Sequence, residues 1–162
     1  MHTSWLLPER LTVSRPLWRS LIAELETRGD GRREAGAFLL ASPDCRVVED
    51  VVYFDDLDPD CLVGSISMSG GAFSRLWDRC EANGQRVVAD VHTHPGASVA
   101  LSPTDRSNPM IATVGHIAIV VPHFAGHRIA RRQLGFHCFQ GDAGWTSAYG
   151  RAARRRVKLT LR

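Results

Sequence analysis

Residues 34–42, Glu-Ala-Gly-Ala-Phe-Leu-Leu-Ala-Ser, restrict the fold more than any other stretch of this chain. The segment is short, almost wholly apolar and bounded by turn residues, which suits a buried strand. A buried strand needs cover, and the neighbouring sequence supplies it. Ser14 followed by Arg15 and Pro16 opens a helix in which Leu17, Leu21 and Leu25 recur at helical spacing, and Gly29 and Gly31 end it. Residues 71–83 carry Phe73, Leu76, Trp77 and Cys80 at helical intervals before the Asn83-Gly84 stop. Residues 46–54 read as the hairpin partner of the first strand, and 87–94, 117–121, 134–139 and 157–161 as further strands. Clustered carboxylates around Pro59 predict a loop over residues 55–60, without the spacing of a calcium loop. Strands and helices mix without regular alternation. The expectation is an α+β class, a curved mixed sheet flanked by helices, in a single domain over residues 1–162.

A length of 162 residues with 44% hydrophobic content is enough for one sizeable core. The net charge of +3 comes almost entirely from arginine, Lys158 being the only lysine, and a balance this mild does not call for a nucleic-acid partner. The scarcity of lysine fits a genome rich in G and C, or an enzyme that works beside a lysine-modifying system. Cys45, Cys61, Cys80 and Cys138 stand singly with no C-x-x-C pair, so neither a disulfide framework nor a cysteine zinc site is expected. The first ten residues lack a leader pattern and no apolar run approaches the ~18 residues of a membrane span, so a cytoplasmic protein with no membrane partner is expected.

The chemistry concentrates around residue 92. Side chains repeat every second residue along a strand, so His92 and His94 project from one face while Thr93 points away. Two imidazoles on a rigid strand make a clamp for zinc, although a lone His-x-His also reads as two half-buried polar residues. Pro95 ends the strand, and after six more residues comes Ser102-Pro103-Thr104-Asp105. Asp105 supplies a third ligand, as hydrolytic zinc requires. Ser-Pro-x-Asp is equally a good helix start, and only the direction of the Asp105 carboxylate decides between capping and ligation. Glu34, where a loop enters an apolar strand, is either an exposed strand-end acid or a general base for a hydrolytic water. Ser102 could then donate to a tetrahedral oxyanion.

Other candidates carry less. His123 and His127 stand one turn apart, but Pro122 and Gly126 disfavour a helix that would pair them. His116 and His137 sit in or beside strands and are expected to be packed or hydrogen-bonded. Asp90 shares the face of His92 and His94 and could orient one of them, or pair with an arginine. A Cys61 thiolate could block an open metal position. Arg154-Arg155-Arg156 suits a solvated face or an acidic protein partner better than nucleic acid, since no aromatics are interleaved.

Taken together, Glu34, then His92-Thr93-His94-Pro95, six residues, and Ser102-x-x-Asp105 resemble the signature of the JAMM metallopeptidases, also called MPN-plus domains. The resemblance runs from about Leu11 to Leu161, with every ligand position filled. It implies an MPN/JAMM-type, cytidine-deaminase-like fold and one catalytic Zn2+ on His92, His94 and Asp105, with Glu34 as base and Ser102 as oxyanion donor. The implied reaction is cleavage after the C-terminal tail of a ubiquitin-like protein. The compact length resembles prokaryotic members, including isopeptidases encoded beside E1- and E2-like enzymes in anti-phage conjugation operons. Two alternatives stay open: a sulfur-carrier-protein peptidase of cysteine or cofactor biosynthesis, and a noncatalytic binding module that keeps the zinc.

Overall fold

The chain folds around the apolar segment as its composition requires. In the computed structural model, which describes residues 10–63 and 66–162, Leu11–Ser14 forms β1 and leads straight into α1 (Arg15–Gly29). The Ser14 hydroxyl accepts from the Leu17 N–H at 3.3 Å, and Pro16 sits in the first turn, where a missing N–H leaves no bond unmade. Asp30, at φ 51°, ends the helix in the left-handed conformation. Trp18, Leu21 and Leu25 are the buried stripe, so the larger Trp18 takes the deep place expected of Leu17, which packs at the core's edge.

Next come β2 (Gly36–Ala41), buried at every residue, and β3 (Asp50–Tyr53), its antiparallel partner. The expected hairpin arm is therefore shorter than residues 46–54. Arg46 and Val48 instead exchange backbone hydrogen bonds with Thr12 of β1, which draws that stretch off the main sheet. The predicted loop at 55–60 begins as a helical turn, α2 (Phe54–Leu57). Phe54 and Leu57 are buried, and Asp55 and Asp56 lie at the turn's positive N-terminal end, where one Arg28 amino group donates to both at 2.8 Å. Sequence reasoning weighed the carboxylates and overlooked those two anchors.

α3 (Gly70–Asn83) buries Ala72, Leu76 and Cys80 and ends at Gly84, whose φ of 60° suits glycine. After it run β4 (Arg86–Thr93), the short α4 (Pro103–Ser107), β5 (Ile117–Val121), β6 (Gly135–Phe139), β7 (Trp145–Ala148), α5 (Gly150–Arg156) and β8 (Val157–Thr160). Six strands form one mixed sheet in the order β3-β2-β4-β5-β6-β7, antiparallel throughout except for the β4–β5 pair. The α+β class with a mixed sheet flanked by helices is thus as expected. β7 and α5 were not foreseen, and β8 pairs in parallel with β1 in a separate two-stranded sheet. No helix among the described residues is long and apolar enough to cross a membrane.

Gly36 marks the closest approach within this core. A Cβ there would stand 2.3 Å from the Phe54 ring and 2.8 Å from the Val91 carbonyl oxygen, both held inside the fold. Inserting one methyl into such a place costs about 1–3 kcal/mol. Gly36→Ala is therefore expected to lower Tm by roughly 4–8 °C, the equivalent of about 2 kcal/mol in a chain of this size. An unchanged Tm in thermal unfolding would show that the sheet gives way at this point.

Candidate metal centre

β4 lies inside the sheet, between β2 and β5, and its pleat sends His92 and the following His94 to one side. Both imidazoles are buried. The His94 Nδ1–H donates to the Ser98 carbonyl at 3.0 Å, which leaves Nε2 as the free lone pair. His92 is oriented from the same side: its Nδ1 stands 3.7 Å from Asp90 Oδ2, and its Nε2 faces the Nε2 of His94 at 3.1 Å. Asp90 is itself buried, and its other oxygen accepts from the His116 Nε2–H at 2.6 Å. Asp90 therefore pairs with two histidines and not with an arginine.

The third side chain arrives on α4. The Ser102 hydroxyl accepts from the Asp105 N–H at 3.1 Å, and Asp105 Oδ2 accepts from the Ser102 N–H at 2.8 Å, a reciprocal capping box. That same oxygen lies 3.6 Å from His92 Nε2 and 3.4 Å from His94 Nε2. Capping and convergence on the histidines, posed as alternatives, hold together in one atom.

These three atoms suit zinc. A tetrahedron with arms of about 2.0–2.1 Å has edges of about 3.3–3.4 Å, and the observed edges are 3.1, 3.4 and 3.6 Å. Among the described residues, His92, His94 and Asp105 are the one group of three such side chains close enough to share an ion. The surrounding charges also favour a cation there. Burial lowers the His92 pKa, yet Asp105 and Asp90 outweigh it and raise it to about 9. Burial works against the charged Asp105 too, but His92 and His94 hold its carboxyl well below the usual carboxylate range.

Glu34 lies just before β2. Gly36 pairs with His92, and the Ala35 backbone exchanges bonds with Thr93, its N–H donating to the Thr93 hydroxyl at 3.0 Å. With that register continued past the end of β2, Glu34 would come to the level of His94. It is half-buried, and among the described residues no hydrogen bond or ion pair engages its carboxylate.

The loop after His94 is tied through its backbone at several points. Gly96 O accepts from the His123 N–H at 3.0 Å, Ser98 O from His94, and Val99 O from the His137 Nε2–H at 2.9 Å. The Phe124 N–H donates to His94 O at 2.8 Å. His123, Phe124 and Ala125 all have positive φ, 55°, 51° and 59°. A left-handed turn of three non-glycine residues costs about 1–2 kcal/mol per residue, strain that other contacts must offset. His123 thus acts through its backbone, and neither it nor His127 belongs to a metal-competent group of the described residues. His137, expected to be packed or hydrogen-bonded, is both: it is fully buried and tethers the loop through Val99. Cys61 is buried in the core, and burial, with Asp55 and Asp58, pushes its thiol up to about 11, so it offers no thiolate at neutral pH.

The profile of the Prok-JAB family, prokaryotic homologs of the JAB domain, matches residues 14–133. This chain belongs to that family. Solved structures share the JAB-type fold at low identity. A protein from Desulfitobacterium hafniense is 16% identical, with 94% of each chain covered and a TM-score of 0.64. A JAB1/MPN domain protein from Archaeoglobus fulgidus is 14% identical, covering 93% of this chain and 98% of its own, with a TM-score of 0.54. A third, described as JAMM, a metalloprotease-like zinc site in the proteasome and signalosome, gives 14%, the same coverages and 0.51. In this JAB domain a cavity of about 420 Å³ opens beside His92 and Asp105, walled by Ile66, Met68, Phe73, Leu101, Met110 and Trp145. Those apolar walls come from four separate stretches, so no local motif foretold them.

Carboxylates that orient a ligand histidine commonly contribute 10–100-fold in metal affinity. Asp90→Asn is expected to weaken zinc binding by about that factor, read by competition with a chelator of known affinity. Affinity equal to the unaltered protein would remove Asp90 from the site.

Proposed function

We propose that this chain is a zinc-dependent peptidase that cleaves after the C-terminal tail of a ubiquitin-like protein, in deconjugation or precursor processing within a bacterial conjugation system. One observation carries the reading: two imidazoles and one carboxylate converge on a tetrahedral face, with a serine hydroxyl beside the carboxylate, and an unpaired glutamate precedes the strand that pairs with the histidine-bearing one. Zinc held by His92, His94 and Asp105 would act as a Lewis acid and bring the pKa of water toward ~7.

The chain's own residues then have separable tasks. Glu34, engaged by no ion pair among the described residues, takes the proton of the attacking water and later delivers it to the leaving amine. Ser102 Oγ already accepts from the Asp105 N–H, so its own O–H remains to donate to the developing oxyanion. Asp90 and His116 hold the His92 ring in one orientation, and Ser98 does the same for His94. Tail entry by strand addition next to the ligands is closed, because β4 has a neighbour on each side and the sheet's edges are β3 and β7. The apolar cavity at His92 and Asp105 is the better receptor for the residue next to the scissile bond.

The test uses a ubiquitin-like protein fused through its tail to a reporter. Cleavage by the zinc-loaded chain and its loss with chelator are expected. Glu34→Gln is expected to bind zinc as the unaltered protein does and to lose turnover by at least a hundred-fold, and Ser102→Ala to lose roughly 10²–10³-fold in kcat. Fusions left intact across several carriers would sink the peptidase reading in favour of a noncatalytic module.

A further inference from the structure

The chain's charge is sorted unevenly over its surface. A hollow of about 390 Å³ is lined by six residues, all cationic, among them Arg131, Arg151, Arg154 and Arg155. A second hollow of about 450 Å³ shares Arg131 and Arg154 with it, so the two are continuous, and it adds Arg15, Arg19 and Arg132. Nine cations therefore line the pair, and no carboxylate does. The other eleven cations of the chain stand against seventeen carboxylate side chains, so everything outside the hollows sums to about −6 while the whole is +3.

None of the nine is relieved by a carboxylate partner among the described residues. No ion pair engages any of them among the described residues; Arg131 donates only to the carbonyls of Arg154 and Val157. Burial, then the neighbouring charges of Arg154 and Arg15, press the Arg131 guanidinium below its ordinary pKa. Like charges gathered in a concave surface focus a positive potential, and an anionic partner relieves it.

The hollows also have a place relative to the metal centre. Thr93 pairs with Val121, Val120 with Gly135, and Phe136 with Ala148, so these four strand ends lie at one end of the sheet. The turn Arg131–Gln133 leads into Gly135, and α5, with Arg151, Arg154 and Arg155, leaves from Ala148. His92 and His94 emerge at the same end. Three strand spacings of about 4.8 Å separate β4 from β7, so roughly 14 Å lies between the metal-bearing strand and the one that feeds α5.

We propose that this cationic hollow docks the acidic face of a folded protein, the carrier whose tail reaches the metal centre. That last identification rests on the peptidase reading; the docking surface does not. A protein fits better than nucleic acid because the one aromatic ring in the lining, Trp18, is only 6% exposed and offers no platform for a base. The position at the metal-bearing end also suits a globular body that extends one tail toward the ligands.

The experiment compares two versions of one small folded, ubiquitin-like carrier with the same tail, one acidic, the other with its surface Asp and Glu changed to Asn and Gln. Binding of each to the full chain is followed by fluorescence anisotropy. The acidic version is expected to bind about tenfold more tightly at ~0.05 M salt, and the difference to vanish near ~0.5 M. Arg151 and Arg155 are exposed, so Arg151→Glu with Arg155→Glu leaves the core intact and is expected to abolish the preference. Changing both to Gln should remove part of it. Equal binding of the two carriers, full preference in the Glu pair, or tighter binding of a short DNA duplex than of the acidic carrier would overturn the proposal. Cleavage of reporter fusions to several such carriers by the zinc-loaded chain is scored separately. If no fusion is cut but the acidic preference appears, the docking surface stands and the peptidase reading falls.

Discussion

Two imidazole nitrogens held 3.1 Å apart, with a carboxylate oxygen within 3.6 Å of both, cannot all present lone pairs to one another without a positive charge among them. The rest of the molecule maintains this arrangement against its own repulsion. A proton shared within the group provides one solution, which is why the His92 imidazole is held charged up to about 9. A divalent cation provides a better one, because three donors on a face of near-tetrahedral dimensions satisfy it at once. Removing two imidazoles from water is costly unless they are paired, and Asp90, Ser98 and Asp105 supply that pairing around the face that suits a cation.

Rigidity around the group comes from several independent sources. β4 has hydrogen-bonded neighbours on both sides and cannot drift. The residues from His94 to Val99 are tied by His123, Phe124 and His137, at the cost of a strained left-handed turn. Gly135 belongs to this system as well: a Cβ there would meet the Val99 carbonyl oxygen at 2.1 Å, so the loop between the ligands lies directly on the start of β6. α4 is too short to be stable by itself, and its capping box spends the Asp105 carboxylate on the helix start and the metal face together.

Much of this was legible in the chain because its signals are local. The period of two places His92, His94 and Asp90 on one face, the Ser-Pro-x-Asp pattern both starts α4 and aims its acid, and the apolar run at Gly36–Ala41 marks a central strand. The missed parts depend on tertiary partners. α2 forms because Phe54 and Leu57 find the core and Arg28 reaches across to its aspartates. β7 is a four-residue edge strand held by its pairing with β6, and its half-exposed Trp145 gave no alternating pattern. His137 was indistinguishable from an ordinary core histidine until its contact with Val99 was known. Of the cationic hollow only Arg154 and Arg155 stood out, as part of a basic run, because the other cations come from stretches more than a hundred residues apart.

X-ray absorption at the zinc edge of the loaded protein tests the central claim most directly, because it reads the ligand atoms without reference to activity. A single zinc per chain with nitrogen and oxygen neighbours at about 2.0–2.1 Å, two of them giving the outer-shell pattern of imidazole, is the predicted result. A sulfur shell at about 2.3 Å, which would bring one of the cysteines to the metal, or an ion with no imidazole neighbours, would contradict it.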